Sequence, residues 1–321
     1  MNYGLVVVGM AVGFLLCGLV TTAPFTTEGL PKVKTDATVP HVPPRIKQSG
    51  KTEVSTNGTD VVSVIQVGAV VEKPAVDPKG LFLYLSFDKD YGDLTLNRSG
   101  DGPDGRLCAA FWTKNGKFGG GLYFDGQTGH VDLGVEVPLP TWDDYTISVW
   151  FLNDGGGDNE RGYGQKIFDK TIMYHDFYLC VNQKGELVFH TYSGDGGGGL
   201  SDASMDYRDG KWHQAVIVKN GTVGKLFVDG ALKCRAEGLR GVVNNGPLLL
   251  GYSKSSDGYQ RKFWSGSLDE LIVFRRTLND EEVQALWKLG PAALGNSLPP
   301  KAHATLPIRE PIRGFETPEL F

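Results

Sequence analysis

Hydrophobic positions between Leu81 and Val273 come in short runs broken by glycine and aspartate, a rhythm that predicts β-strands separated by tight turns. The clearest runs are LFLYLSFD (81–88), GLYFDG (121–126), YTISVWFL (145–152), FYLCVNQKGELVFH (177–190), HQAVIVKNGTVGKLFVDG (213–230), PLLLGY (247–252) and SLDELIVF (267–274). Two of these read as hairpins, one turning at NQKG and the other at Asn220-Gly221. Strands of this length and spacing predict an all-β, antiparallel two-sheet sandwich of the jelly-roll kind. A single short helix is predicted over EEVQALWKL (281–289), capped by Asn279 or Asp280, with acids in its first turn and Lys288 then Gly290 at its end.

Outside this body the pattern changes. Tyr3–Val20 is an uncharged run of 18 residues, and the first charged side chain is Glu28. That is about the minimum length for a spanning helix, and Pro24 disfavours cleavage after Ala23. Residues 1–23 are therefore expected to form an uncleaved transmembrane helix rather than a removed signal peptide. Gly9 and Gly13 are spaced for close helix–helix packing. Lys32 and Lys34 weakly favour an inward carboxyl side, but long domains translocate largely regardless of flanking charge. The body is expected on the extracytoplasmic side, periplasmic or extracellular.

Residues 24–78 read as an extended tether rich in proline and threonine, with one apolar run at 61–71 too short to cross a membrane. Residues 291–321 read as an irregular, proline-rich arm carrying Leu306, Ile308, Ile312, Phe315 and Phe321 as spaced apolar anchors for a partner. Of 17 prolines, 13 lie before Lys79 or after Leu289, which is why the folded body is bounded at 79–290. The 44 glycines show no Gly-X-Y period, so collagen is excluded and turns between strands account for them. With 37 acidic and 32 basic side chains the net charge is −5, which excludes a polybasic nucleic-acid binder.

The body also carries a resemblance. LYLSFD (83–88), SGDGPDGRL (99–107), FGGGLYFDGQTGHVDLG (118–134) and YTISVWF (145–151) resemble the opening strands of laminin-G-like, concanavalin A-like jelly rolls. DGKWHQAVIVKNGTVGKLFVDGAL (209–232) resembles that family's Trp-His strand and following hairpin, and FWSGSLDELIVFRRTLNDEEVQALW (263–287) its closing strand and terminal helix. The resemblance covers residues 79–290 and neither arm. It implies a domain used for recognition, with one structural calcium held by Asp88, Asp125 and Asp269. It also implies that Asp269-Glu270 is a structural motif and that His213 packs between the sheets.

Candidate chemistry points the same way. Glycoside hydrolases on sandwiches of this kind set two carboxylates on one face of a strand. Asp269 and Glu270 are adjacent, and strict alternation would send them to opposite faces. No Gly-x-Ser-x-Gly elbow, His-Glu-x-x-His helix or Walker loop occurs. The glycine runs Gly155–Gly157 and Gly196–Gly199 read as loops. Loops 153–165, 193–204 and 252–263 form the candidate binding rim, where Tyr163, Tyr252, Tyr259 and Trp264 are placed to stack on sugar rings. Three body cysteines, Cys108, Cys180 and Cys234, allow one disulfide or none. The expectation is a non-enzymatic, membrane-anchored subunit that braces a membrane protein assembly through its jelly roll and arms. A lectin-like glycan-binding module is the alternative, and a glycoside hydrolase a distant one.

Overall fold

A computed structural model of the chain describes residues 74–156, 164–172, 175–194, 196–253 and 262–295. The expected membrane helix with Gly9 and Gly13, the rim residues Tyr163 and Tyr259, and the arm residues Leu306, Ile308, Ile312, Phe315 and Phe321 lie outside the described residues. Among the described residues no helix is long and apolar enough to cross a membrane.

The strands, in chain order, are β1 (Leu81–Leu85), β2 (Leu94–Thr95), β3 (Gly105–Cys108), β4 (Phe111–Thr113), β5 (Gly121–Asp125), β6 (His130–Asp132), β7 (Asp144–Asn153), β8 (Gln165–Asp169) and β9 (His175–Val181). They continue as β10 (Leu187–Ser193), β11 (Gly196–Asp202), β12 (Trp212–Asn220), β13 (Val223–Val228), β14 (Ala231–Ala236), β15 (Leu249–Leu250), β16 (Tyr252–Ser253), β17 (Lys262–Phe263) and β18 (Ser265–Phe274). Helix α1 (Asp280–Leu289) follows. The first sheet runs β14-β13-β12-β7-β18-β5-β4, with β1 also paired to β18, and the second runs β11-β10-β9-β8-β15-β6-β3-β2. Every strand pairing is antiparallel. The expected two-sheet sandwich with one short helix is the observed architecture.

Alternation explains how the sandwich closes. In β7, Tyr145, Ile147, Val149 and Phe151 enter the core between the sheets, while Thr146, Ser148, Trp150 and Leu152 take the opposite face. Facing β7 across the core, β9 and β10 contribute Phe177, Leu179, Phe189 and their neighbours. A second cluster lies on the outside of the first sheet, where Val216, Val218, Phe227, Ile272 and Phe274 pack under Val283 and Leu286 of α1. Asn279 caps that helix through a reciprocal capping box with Glu282, and Gly290 ends it. Helix α1 therefore covers part of one outer face and leaves that of the second sheet to other uses.

Both hairpins form where turn chemistry placed them. Asn182 Oδ1 accepts the N–H groups of Lys184 and Glu186 at the β9–β10 turn. At the β12–β13 turn Gly221 takes φ +57°, a conformation glycine adopts without strain. The body is also longer at both ends than the sequence suggests. Val76 is buried against the helix cluster and donates its N–H to Ala293 O at 2.9 Å, and Ala293 and Leu294 are themselves buried.

One expectation fails outright. Gly196–Gly199 is not a loop but half of edge strand β11, paired to β10 from Ser193 to Leu187. A Cβ on Gly197 would lie 2.1 Å from Thr191 O and one on Gly199 2.9 Å from Phe189 O, so the strand approaches its neighbour closer than a side chain allows.

Candidate binding surface

Several expected site residues take other roles. Among the described residues no three His, Cys, Asp or Glu side chains, Asp88, Asp125 and Asp269 included, gather as a metal-ligand set. Each is engaged separately. Asp88 faces Arg98 at 3.4 Å. Asp125 accepts the N–H groups of Gln127, Thr128 and Gly129 and the Thr128 hydroxyl; slight burial opposes these bonds, yet they hold its pKa down to about 2. Asp269 is buried in β18 and accepts the N–H of Phe118 and of Glu270, both at 2.9 Å.

A bulge overturns the simple alternation at this point. Glu270 takes φ +50°, and the β18–β7 register jumps between Asp269 and Ile272. Both carboxyls end up buried (0% and 1% exposed), with the Tyr84 side chain beside that of Glu270. Burial pushes both carboxyls upward, and the Asp269 charge pushes Glu270 further. At that depth neither can reach a sugar.

Trp264 is likewise no rim residue. It is wholly buried and meets Phe151 edge-on, 6.0 Å between ring centroids, so it belongs to the inter-sheet core. Tyr252 does lie at the surface, half-buried, stacked on Phe263 at 4.6 Å and tilted against His130 at 5.2 Å. Cys108, Cys180 and Cys234 are all free thiols.

His213 is held as the resemblance implied. Its Nδ1 lies 2.7 Å from Asp229 Oδ2 and its Nε2 3.3 Å from Asp209 Oδ1, with Phe151 and Tyr207 packed on the ring. Burial alone would lower its pKa, but the Asp229 hydrogen bond and the two carboxylate charges outweigh burial and raise it.

A different group converges on the outer face of the second sheet. Strand register sets Gly199, His190, Tyr178 and Asp169 in one row across β11, β10, β9 and β8. The next row holds Gly197, Tyr192 and Asp176. At about 4.8 Å between strands the shelf is roughly 15 Å wide. The His190 and Tyr192 rings lie parallel, 6.4 Å apart with an interplanar angle of 6°, and Tyr178 leans on His190 at 5.4 Å. The glycines of β11 place no side chains beside these rings, which leaves their edge open.

Charges frame the rings. Lys166 Nζ sits 3.2 Å from the Tyr178 ring centroid. Asp169 accepts the N–H and hydroxyl of Thr171; burial raises its carboxyl, against the Lys166 charge and bonds from Thr171 and Ser253. Asp176 Oδ2 stands 3.9 Å from His190 Nδ1, too far for a hydrogen bond, and that nitrogen has no other partner. Burial lowers the His190 pKa, partly offset by Asp176, which favours the neutral ring, its Nδ1 buried toward Asp176. Sequence reasoning missed this surface. Tyr178, His190 and Tyr192 are the outward positions of two alternating strands, a signal obscured once the glycine strand beside them was read as a loop.

Comparison with known proteins bears on the fold. Residues 125–284 match the family profile described as the concanavalin A-like lectin/glucanases superfamily. Domain 4 of AbnA, a GH43 extracellular arabinanase from Geobacillus stearothermophilus solved in complex with arabinotriose, superposes with a TM-score of 0.50 at 16% identity, covering 65% of this chain and 98% of that domain. The binding domain of Paraclostridial Mosquitocidal Protein 1 superposes with a TM-score of 0.52 at 16% identity, covering 65% of this chain and 52% of the other. The botulinum neurotoxin serotype D binding domain gives 0.52 at 14% identity, covering 67% and 53%. This chain thus spans about half the length of the toxin binding domains, and at these identities the likeness establishes the fold alone. No curated protein matches the sequence.

Proposed function

The chain belongs, through its folded body, to the concanavalin A-like lectin/glucanases superfamily, and from that premise we propose that it is a non-catalytic, carbohydrate-binding module whose ligand lies on the outer face of the second sheet. The observation that carries the reading is the shelf of Tyr178, His190 and Tyr192 beside the glycine half (Gly196–Gly199) of strand β11. Sugar rings have apolar C–H faces and hydroxyl edges. Parallel aromatic faces suit the first, and the neutral imidazole, Asp176 and the Tyr hydroxyls suit the second. The arabinotriose bound to the AbnA domain supports the ligand class by fold analogy. The uncharged run Tyr3–Val20 would then tether the module at a membrane, body outward. Bracing of a membrane assembly would rest on the jelly roll together with arms whose anchor residues lie outside those described.

The test is calorimetric titration of the full chain, in a non-glycosidic detergent, with arabinotriose and a panel of neutral oligosaccharides. Tyr178→Ala and His190→Ala should each weaken binding by about tenfold, at 0.5–1.5 kcal/mol per ring contact plus a lost hydrogen bond. The thermal transition should stay near that of the wild type because both residues are part-exposed. Wild-type affinity in both variants, for every sugar bound, would sink the placement.

A further inference from the structure

The exposed aromatic side chains are not spread evenly over the body. Of the five among the described residues, Tyr91, Phe111, Trp112, Tyr123 and Trp287, Phe111 and Tyr123 share the outer face at the β4 edge of the first sheet, while Trp112 and Tyr91 line a hollow with Leu122 on its other side. Phe111 (56% exposed) and Tyr123 (40%) are direct cross-strand partners on β4 and β5. Tyr123 turns outward because its neighbours Leu122 and Phe124 enter the core, and Phe111, directly opposite, turns the same way. Register then continues the row across the sheet, from Tyr123 to Ser267 of β18, to Leu152 of β7 and to Trp212 of β12. Leu152 and Trp212 are half-buried. Four strand spacings make the row about 19 Å long. Helix α1 does not cover it, since its cluster lies over Val216, Val218, Phe227, Ile272 and Phe274.

We infer that this row is a second carbohydrate-binding surface, on the face opposite the first, and that it takes a linear, neutral, multi-residue glycan. Length excludes a single sugar as the full occupant. The row carries no charge, and beside it stand acceptors: Asp125, opposite Ser265, and Asp154, which accepts the Ser265 hydroxyl at 2.6 Å. Their negative charge disfavours an anionic chain and suits hydroxyl donors. Exposed rings at strand spacing, Phe111 and Tyr123, give successive sugars apolar contacts, with the Tyr123 hydroxyl beside them. The ligand class rests on the carbohydrate-binding reading above; the location does not. Two such faces on opposite sides of one sandwich make the module bivalent, able to join two chains.

The experiment uses the full chain in a non-glycosidic detergent and cellohexaose, a soluble linear β-linked glucan, as probe. Phe111→Ala/Tyr123→Ala should weaken cellohexaose binding at least about tenfold, Tyr123→Phe should retain most of it, and arabinotriose binding at Tyr178 and His190 should be unchanged. An unaltered melting temperature confirms that the double variant folds. Hydroxyl-radical footprinting of the free chain should oxidise Phe111 and Tyr123, with cellohexaose protecting them. The inference is overturned if the wild type does not bind cellohexaose or the double variant binds it equally well. Protection of both rings before ligand is added also overturns it, because a segment of the chain or a second copy then covers the row. Loss of binding in Tyr178→Ala alone touches only the first surface.

Discussion

Trp264→Ala should lower the melting temperature of the chain by roughly 6–20 °C, because removing a large buried ring costs about 3–5 kcal/mol and each kcal/mol shifts a domain of this size by about 2–4 °C. The indole is 0% exposed and lies between the sheets, edge-on to Phe151. Its backbone also joins the ends of three strands: its N–H donates to Gly251 O at 2.8 Å and its carbonyl accepts from Gly126 at 2.9 Å. Those bonds survive the substitution, so the loss reports the void alone. Trp264→Phe should cost much less. The indole Nε1 has no hydrogen-bond partner, so phenylalanine keeps most of the packing and removes an unsatisfied donor. A rim role predicts the reverse pattern, with little change in melting and a loss of ligand binding. Thermal denaturation of the two variants, followed by tryptophan-independent far-UV dichroism, separates the cases.

What the sequence revealed and what it hid divide along physical lines. Turn and cap signals are local, so the Asn182 and Asn220-Gly221 hairpins and the Asn279 cap stand where their residues predicted. The alternating runs of β7, β12 and β18 were legible for the same reason, since each buries a full apolar face. Strand β11 was hidden because four glycines have no alternation to read, and its pairing with β10 is a tertiary fact. Glu270 was hidden because a bulge breaks the period on which face assignments rest. Trp264 sits one residue before β18, where direction depends on how β17 and β18 join. The shelf of Tyr178, His190 and Tyr192 combines residues from two strands with the bareness of a third, so no single run of sequence contains it. Tyr252 alone, of the expected rim residues among those described, lies where a ligand can reach it.

His213→Ala should destabilise the body by about 2 kcal/mol and make less steep the fall of stability with pH that the wild type shows between about pH 6.5 and 8. The imidazole stands between Asp229 and Asp209, and Asp229 is itself tied to β12 through Gln214 N at 2.9 Å. The following Gly230 carbonyl receives the Gln284 side chain of α1, so the clasp helps seat the helix. Losing the ring leaves two carboxylates facing an empty space. The cost stays below the 3–5 kcal/mol of a fully buried pair because the Asp229 and Asp209 side chains are 36% and 21% exposed and water screens them. The sign follows from the raised pKa. The folded protein holds the His213 proton more tightly than the unfolded chain, whose imidazole titrates near 6.5. This contribution is therefore complete below pH 6.5 and is lost as pH rises through the folded pKa. His190 works in the opposite direction, but its lowered pKa confines its effect to pH values below 6.5. Buried Lys170, lowered to about 8, begins to add stability only above that value. Between these limits the wild-type melting temperature should fall with rising pH, and that of His213→Ala should fall less steeply, because the buried carboxyls of Asp269 and Glu270, raised by burial, still lose stability with rising pH in the variant. A parallel fall in both proteins would assign the titration to another group and remove the clasp from the account of how the helix is held.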